Sequence, residues 1–267
     1  MILASASPTA LILAVGAASA YVASALGASR FGSSWARLTL WLAWVLHGLV
    51  LLWGLWGETP RFGFAPALSF TAWLAAGIYA VESHVFPMLK ARWSLSGLGA
   101  LAMWLALAFP GNALHATASP WLPLHWALGI ASYGLFAAAV VHGWFMTRTE
   151  AQIRRGADPH SGIPLLTLER LMFRFVGTGF VLLTATLAVG LFFSQQLYGT
   201  VAPFKLDHKT AFSLLSWLVF AVLLMGRARF GWRGRRAVRV IYIGSGLLLL
   251  AYVGSRFVLE VILGRVA

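Results

Sequence analysis

Eight stretches of this chain, at about 8–28, 37–57, 66–86, 94–109, 124–147, 174–196, 211–227 and 238–261, are apolar for close to the length a helix needs to cross a bilayer. Roughly 20 residues rising 1.5 Å each cover the hydrocarbon layer, and within lipid a helix satisfies its own backbone N–H and C=O groups. The chain is 60% hydrophobic and 10% charged, against about 45–50% and 25% for a soluble domain. So few charges cannot clothe a water-soluble globule. The expected fold is therefore all-α, a polytopic transmembrane helical bundle of about eight spans forming a single integral membrane domain over 1–267. The fourth span is the shortest and should stop at Phe109-Pro110-Gly111, where proline and glycine end a helix. The first run, about 20 residues long, exceeds the 7–15 residues of a signal-peptide apolar region and is expected to be a retained helix.

Basic residues set the expected orientation, because cytoplasmic connections accumulate Lys and Arg. Fifteen of the twenty fall in the odd-numbered connections: Arg30 and Arg37; Lys90 and Arg92; five arginines from Arg148 to Arg174; and six from Arg227 to Arg239. Arg61, Lys205, Lys209, Arg256 and Arg265 fall on the other side. Odd loops are then cytoplasmic and both termini lie on the non-cytoplasmic side. The excess of base over acid has this explanation, so no nucleic-acid partner is expected; the first partner is the lipid bilayer. One longer cytoplasmic stretch, 148–173, carries Pro159, Gly162 and Pro164, which break any long helix.

Several chemistries are excluded. With no cysteine, disulfides, thiolate metal sites and CxxCH haem attachment are impossible. Seven acidic residues are too scattered for paired-carboxylate catalysis, and no HExxH, GxSxG, P-loop or GxGxxG motif in a strand–helix setting occurs. The chain is not expected to be an enzyme. What stands out is seven histidines in so apolar a sequence, since ionisable groups inside a membrane are costly and mark functional pathways.

His125 opens the fifth span and His208 precedes the seventh, both at the same expected membrane face. Imidazole is an axial ligand of haem iron, so the pair could hold a haem edge-on there; otherwise His125 is an interfacial residue and His208 a solvated one. His47 lies about ten residues into the second span, near mid-bilayer, and either hydrogen-bonds a neighbouring helix or ligates a cofactor. His84 and His142 could form a second pair or snorkel to the interface; His115 and His160 are loop residues. Along the fifth span His125, Gly129, Ser132, Phe136 and Ala139 form one stripe whose small residues allow close helix packing or a slot for a flat ligand. Lys205, Lys209 and Arg256 are the cations available to haem propionates on that face, although Arg256 and Glu260 can pair at i,i+4.

The spelling of the second half is more specific. HWALGIASYGLF from His125, then Asp207-x-Lys209, Ser216-Trp217 and the turn Gly231-Trp232-Arg233-Gly234-Arg235-Arg236 resemble the cytochrome c assembly family, the polytopic haem-handling proteins of the CcsA, CcmC and HemX type, and among them the smaller HemX-like or YpjD-like members. The likeness is best over about 66–262. It implies haem b as the cofactor, with His125 the outer ligand and His47 the transmembrane one. It also implies a bacterial cytoplasmic (inner) membrane location and, as partners, other cytochrome c maturation or haem-biosynthesis membrane proteins.

The sequence departs from the family pattern in places. Phe204 and Leu206 stand where a tryptophan-rich outer loop would be expected. Met225 stands in place of the family's second membrane histidine, so His/Met ligation is open beside a plain packing role. The histidine after the last helix is absent, and His208 is a possible substitute. The expected function is haem binding or handling during cytochrome c assembly or related haem metabolism. The alternative is a scaffold or regulator that keeps the fold without haem, for example of a tetrapyrrole-synthesis enzyme. A transporter would want inverted repeats and broken central helices, and a cytochrome b subunit would want two histidines at matched depth on facing spans.

Overall fold

A computed structural model describes residues 8–56, 61–85, 92–113, 121–156, 164–193 and 207–264. His115, His160, Lys205, Phe204 and Leu206, together with the side chain of His84, lie outside the described residues. The helices are α1 (Pro8–Trp56), α2 (Phe64–Val85), α3 (Arg92–Ala108), α4 (Trp121–Arg154), α5 (Leu165–Phe192), α6 (His208–Phe230) and α7 (Gly234–Leu249), the last continuing through π-helical turns to Ile262. Among the described residues six helical stretches are long and apolar enough to cross a membrane, by length and composition: Ser34–Leu55, Phe64–Ser83, Trp121–Arg154, Leu165–Phe192, His208–Phe230 and Gly234–Ile262. The remaining two expected spans are present as the shorter apolar helices Leu11–Gly27 and Leu95–Ala108. In the apolar 18-residue window of each long stretch only 22–39% is buried inside the protein, which leaves apolar surface facing outward for lipid.

The chain packs as two compact units, residues 1–115 with 256–267, and residues 116–255. In the first, α1 cannot be straight. Ser24 Oγ donates to Ala36 O at 3.0 Å and Tyr21 reaches His47 across 26 residues, which a straight helix would separate by about 39 Å. The element folds back between Gly27 and Trp35, and the two arms pack with α2 and α3. Trp44 and Trp73 form a reciprocal clamp between α1 and α2. Their rings stack at 4.8 Å, and each indole N–H donates to the other's backbone carbonyl, at 3.0 and 2.9 Å. A Cβ on Gly77 would lie 2.7 Å from Trp44 Nε1, so that glycine is what admits the ring. α3 ends at Ala108, before Phe109-Pro110-Gly111, and Gly111 (φ 81°) turns the chain into a two-residue antiparallel pairing of Arg61–Phe62 with Asn112–Ala113.

The second unit is built on the antiparallel pair α4 and α5. Gly129 faces Thr186, Phe136 faces Gly179 and Gly143 faces Met172: steps of seven on both helices, the spacing that keeps one seam in register. On α4 the buried seam residues are Ser132, Phe136, Ala139, His142, Gly143 and Met146; on α5 they are Met172, Val176, Gly179, Leu183 and Thr186. Both helices extend well beyond the expected spans, α4 to Arg154 and α5 back to Leu165. The extra turns are held by side chains rather than lipid. Glu150 takes Arg154 at 2.7 Å and Arg235 at 3.0 Å, and buried Glu169 takes Arg227 at 2.5 Å. Asp207 caps α6 by accepting from Thr210 N at 2.8 Å. The helix ends on Gly231 in the left-handed conformation (φ 62°), followed by Trp232, whose indole lies 2.5 Å from where a Cβ on Gly226 would be. The Gly-Trp-x-Gly turn is thus a helix stop whose tryptophan folds onto the preceding glycine.

Candidate functional site

His125 sits at the mouth of the α4–α5 seam, one layer beyond Gly129. Trp121 stacks on Phe193 at 3.9 Å and closes the seam's end. That stacking and the seven-residue register turn His125 inward against α5. Its Nδ1 lies 3.1 Å from Thr186 O, and its ring rests on Gly190, where a Cβ would come within 3.2 Å of Cε1. A carbonyl only accepts, so Nδ1 carries the proton and Nε2 keeps its lone pair. No described residue hydrogen-bonds Nε2.

Around this end of the same unit stand Lys209, Tyr252 and Tyr133. Lys209 lies within electrostatic range of His125, and its Nζ sits 5.3 Å from the centre of the Tyr252 ring. Tyr133, the tyrosine of the Ser-Tyr pair, donates its hydroxyl proton to Leu248 O and accepts from the Tyr252 N–H. These are the two groups an α-helix would join to each other. The hydroxyl is inserted into the ladder, and a π-helical turn at Leu250–Gly254 follows, the usual result of such an insertion. His208 is the first residue of α6, exposed, beside the capping Asp207.

The other expected site residues stand elsewhere. His47, in the first unit, is fully buried with both nitrogens engaged: Nδ1 with Tyr21 OH at 3.1 Å and Nε2 with Ser69 Oγ at 2.7 Å, Ser69 in turn facing Met103 Sδ at 3.9 Å. These contacts tie His47 to Tyr21 and Ser69 on neighbouring helical segments, and both ring nitrogens have protein partners. Met225 is 62% exposed and turned out of its unit, because Gly226 beside it takes the inward face under Trp232. Arg256 lies 3.8 Å from Glu260 within the first unit, the i,i+4 pairing. His142 Nδ1 donates to Ala138 O at 2.8 Å, and its ring packs against Phe175. Among the described residues no group of three His, Cys, Asp or Glu could hold a bare metal ion.

Comparison with known proteins bears on this arrangement. The sequence model described as cytochrome C assembly protein matches residues 33–263. The chain belongs to that family. Among its relatives, the inner membrane protein YpjD of Escherichia coli (strain K12) is 35% identical over 150 residues, covering 55% of this chain and 56% of YpjD; the chain thus spans little more than half the length of that relative. The cytochrome c biogenesis protein CcsA of Synechococcus sp. (strain CC9902) is 27% identical over 241 residues, 77% of each chain. No solved structure matches.

The surroundings of His125 include two positions that the sequence alone did not single out, Thr186 and Gly190. A heptad count along 172–190, set against the stripe from His125, finds both, because they continue the seam 172, 176, 179, 183 upward in steps of three and four.

Proposed function

We propose that this protein is an integral membrane component of cytochrome c assembly or related haem metabolism that holds haem b at the open end of the α4–α5 seam, with His125 as axial ligand. The observation that carries the reading is the Thr186 carbonyl on Nδ1. It fixes the tautomer an iron requires and aims an unbonded Nε2 away from the seam, the second-partner arrangement typical of ligating histidines. Haem, when bound, supplies the redox-active iron and the porphyrin that cytochromes need. The protein's own residues bind and orient: Thr186 and Gly190 seat the imidazole, and Lys209 offers a cation to a propionate. Lys205 and His208 are further candidates for propionate and for the second axial position, and Met225 would need to turn inward to serve. His47 would need to give up Tyr21 or Ser69 to ligate, and we assign it to packing. Likeness to CcsA, a protein of cytochrome c biogenesis, supports the assembly setting, and the product is a held or passed haem, with no bond chemistry by the side chains.

The same reading puts the protein in the bacterial cytoplasmic membrane with eight crossings. Leu11–Gly27 and Leu95–Ala108 are the short ones, tolerable where the bilayer thins locally. The arginine-rich connections are cytoplasmic and both termini outside. The test is an absorption spectrum of the detergent-purified protein during haem titration. A Soret band should appear in the parent and be lost in His125→Ala. Absence of any band in the parent sinks the proposal. A haem-free scaffold is the second reading, favoured by Phe204 and Leu206 in place of tryptophans. It requires His125→Ala to keep full complementing activity in cells.

A further inference from the structure

We propose that the arginine cleft between the start of α5 and the end of α6 binds the phosphate of an anionic phospholipid headgroup. The cleft has a volume of about 500 Å³ and is lined by four arginines, Arg170, Arg174, Arg227 and Arg233, and by one acidic residue, Glu169. Glu169 is buried and holds Arg227 at 2.5 Å, with Arg233 at 3.7 Å. Arg227 is further fixed by Trp232 O at 3.3 Å and by the Phe173 ring, 4.5 Å below it. One carboxylate against four guanidiniums leaves three formal positive charges among the residues that line the cleft.

A structural clamp between α5 and α6 needs only Glu169 and Arg227. The tendency of arginines to collect on one side of a membrane is met equally well by dispersed residues, which do not repel each other. Here Arg170 and Arg174, one turn apart on α5, are exposed and have no carboxylate partner among the described residues. Convergence of like charge is unfavourable unless an anion shares it. A phosphate, accepting from several planar guanidinium forks at once, is the group that such a cluster recognises.

Depth selects the source of the phosphate. Glu169, Arg170 and Arg174 lie in the first turns of the apolar stretch Leu165–Phe192, Arg227 in the last turn of His208–Phe230, and Arg233 immediately before Gly234–Ile262. Three span ends therefore meet at headgroup level, where basic pockets between helices take lipid phosphates. Leu166 lines the cleft at 67% exposure, and Phe230 stands 76% exposed at the end of α6, giving glycerol and acyl carbons apolar surface beside the charges.

The experiment is native mass spectrometry of the full chain released from detergent, titrated with phosphatidylglycerol, phosphatidylcholine or inorganic phosphate. Each basic residue near a membrane surface is worth about fivefold in affinity, so Arg170→Gln with Arg174→Gln should weaken phosphatidylglycerol retention about thirtyfold while leaving phosphatidylcholine unchanged. Both positions are exposed and outside the Glu169–Arg227 clamp, so the variant should keep the parent's unfolding temperature. If it does not, the single variants Arg170→Gln and Arg174→Gln should each give about a fivefold loss. Equal retention of the two lipids by the parent, or no loss in the variants, overturns the proposal. Millimolar inorganic phosphate displacing phosphatidylglycerol completely would assign the cleft to a soluble anion and overturn the lipid source.

Discussion

Replacing Ser69 by alanine tests what His47 is for. Tyr21, His47 and Ser69 form a hydrogen-bonded chain with the imidazole fully buried. Ser69 has Met103 Sδ as an acceptor for its own proton, so the consistent assignment has Nε2–H donating to Ser69 Oγ and Tyr21 O–H donating to Nδ1. Ser69→Ala therefore leaves a buried N–H with no acceptor, which costs about 1–3 kcal/mol. Interhelical hydrogen bonds within membranes sit lower, near 0.6 and reaching about 1.7 kcal/mol in pairwise cycles. We expect a loss of about 1–2 kcal/mol, or a fall in Tm of roughly 2–8 °C for a chain of this size. A double-mutant cycle of Ser69→Ala with His47→Phe should return a coupling of at least about 0.6 kcal/mol. The chain has no cysteine but 13 tryptophans, so unfolding in detergent is followed by intrinsic fluorescence. A ligand role for His47 predicts something else: removing Ser69 frees Nε2 and should raise haem binding. A neutral Ser69→Ala with zero coupling and a stronger Soret band would refute the packing assignment.

Other outcomes follow from the geometry. Gly190→Leu should abolish haem binding with little loss of fold, because the site beside His125 Cε1 has only 3.2 Å for the first carbon; haem titration and Tm read the two effects separately. Tyr133→Phe removes the hydroxyl between Leu248 O and Tyr252 N, so the helix should close to a regular turn, seen as slower hydrogen exchange at Tyr252, with stability changed by no more than about 1 kcal/mol. Glu169→Gln should cost about 2 kcal/mol by unmaking a charged hydrogen bond at 2.5 Å, with Tm falling in detergent. Partial burial works against ionisation of Asp207, but the Thr210 N–H and hydroxyl and the nearby Lys209 and His208 charges hold its carboxyl below the usual range. Its cap is therefore complete above the unfolded value near 4 and lost as pH falls through the folded value. Exchange protection of the first turn of α6 should be flat from pH 5 to 8 and collapse only in acid, and Asp207→Asn should flatten that acid limb.

The long apolar runs are legible in the sequence because lipid imposes length and composition, and the stop at Phe109-Pro110-Gly111 because proline and glycine act locally. The ends of α4, α5 and α6 are not, since a hydropathy window cannot register turns held by Glu150, Glu169 and Arg227, partners up to 85 residues apart in sequence. The Trp44–Trp73 clamp is equally hidden: tryptophans near span ends read as interfacial anchors, and nothing in the string pairs an indole N–H with a carbonyl 29 residues away. For the candidate site, the residue type is legible and the family spelling singles out His125 and His47, but how the protein engages each ring is not. What distinguishes His125 from His47 is how many ring nitrogens the protein itself occupies, and that depends on a backbone carbonyl in one case and two hydroxyls in the other.

That difference carries physical weight. An imidazole in an apolar interior must satisfy two nitrogens, and with hydroxyls on both sides it becomes part of the packing, as His47 does with Tyr21 and Ser69. Holding one nitrogen with a carbonyl and leaving the other unbonded is tolerable only at the margin of the bundle, where water or a ligand can reach it. His125 is at that margin: it is the last seam residue of α4, half-buried, beside Trp121 and Lys209. The seven-residue register places it there, and the same register puts Gly190, rather than a larger side chain, opposite it. Sliding α5 by one turn against α4 would bring Thr186 into that position, filling the space and moving the carbonyl partner away. The geometry proposed for ligation is thus a property of the packed seam as a whole, and substitutions deep in it should reach His125. Gly179→Leu, which would drive against Phe136 from 3.1 Å, should weaken haem binding from well below His125 in the seam while leaving the imidazole itself in place; a haem titration that matched the parent's would show that the seam does not set the site.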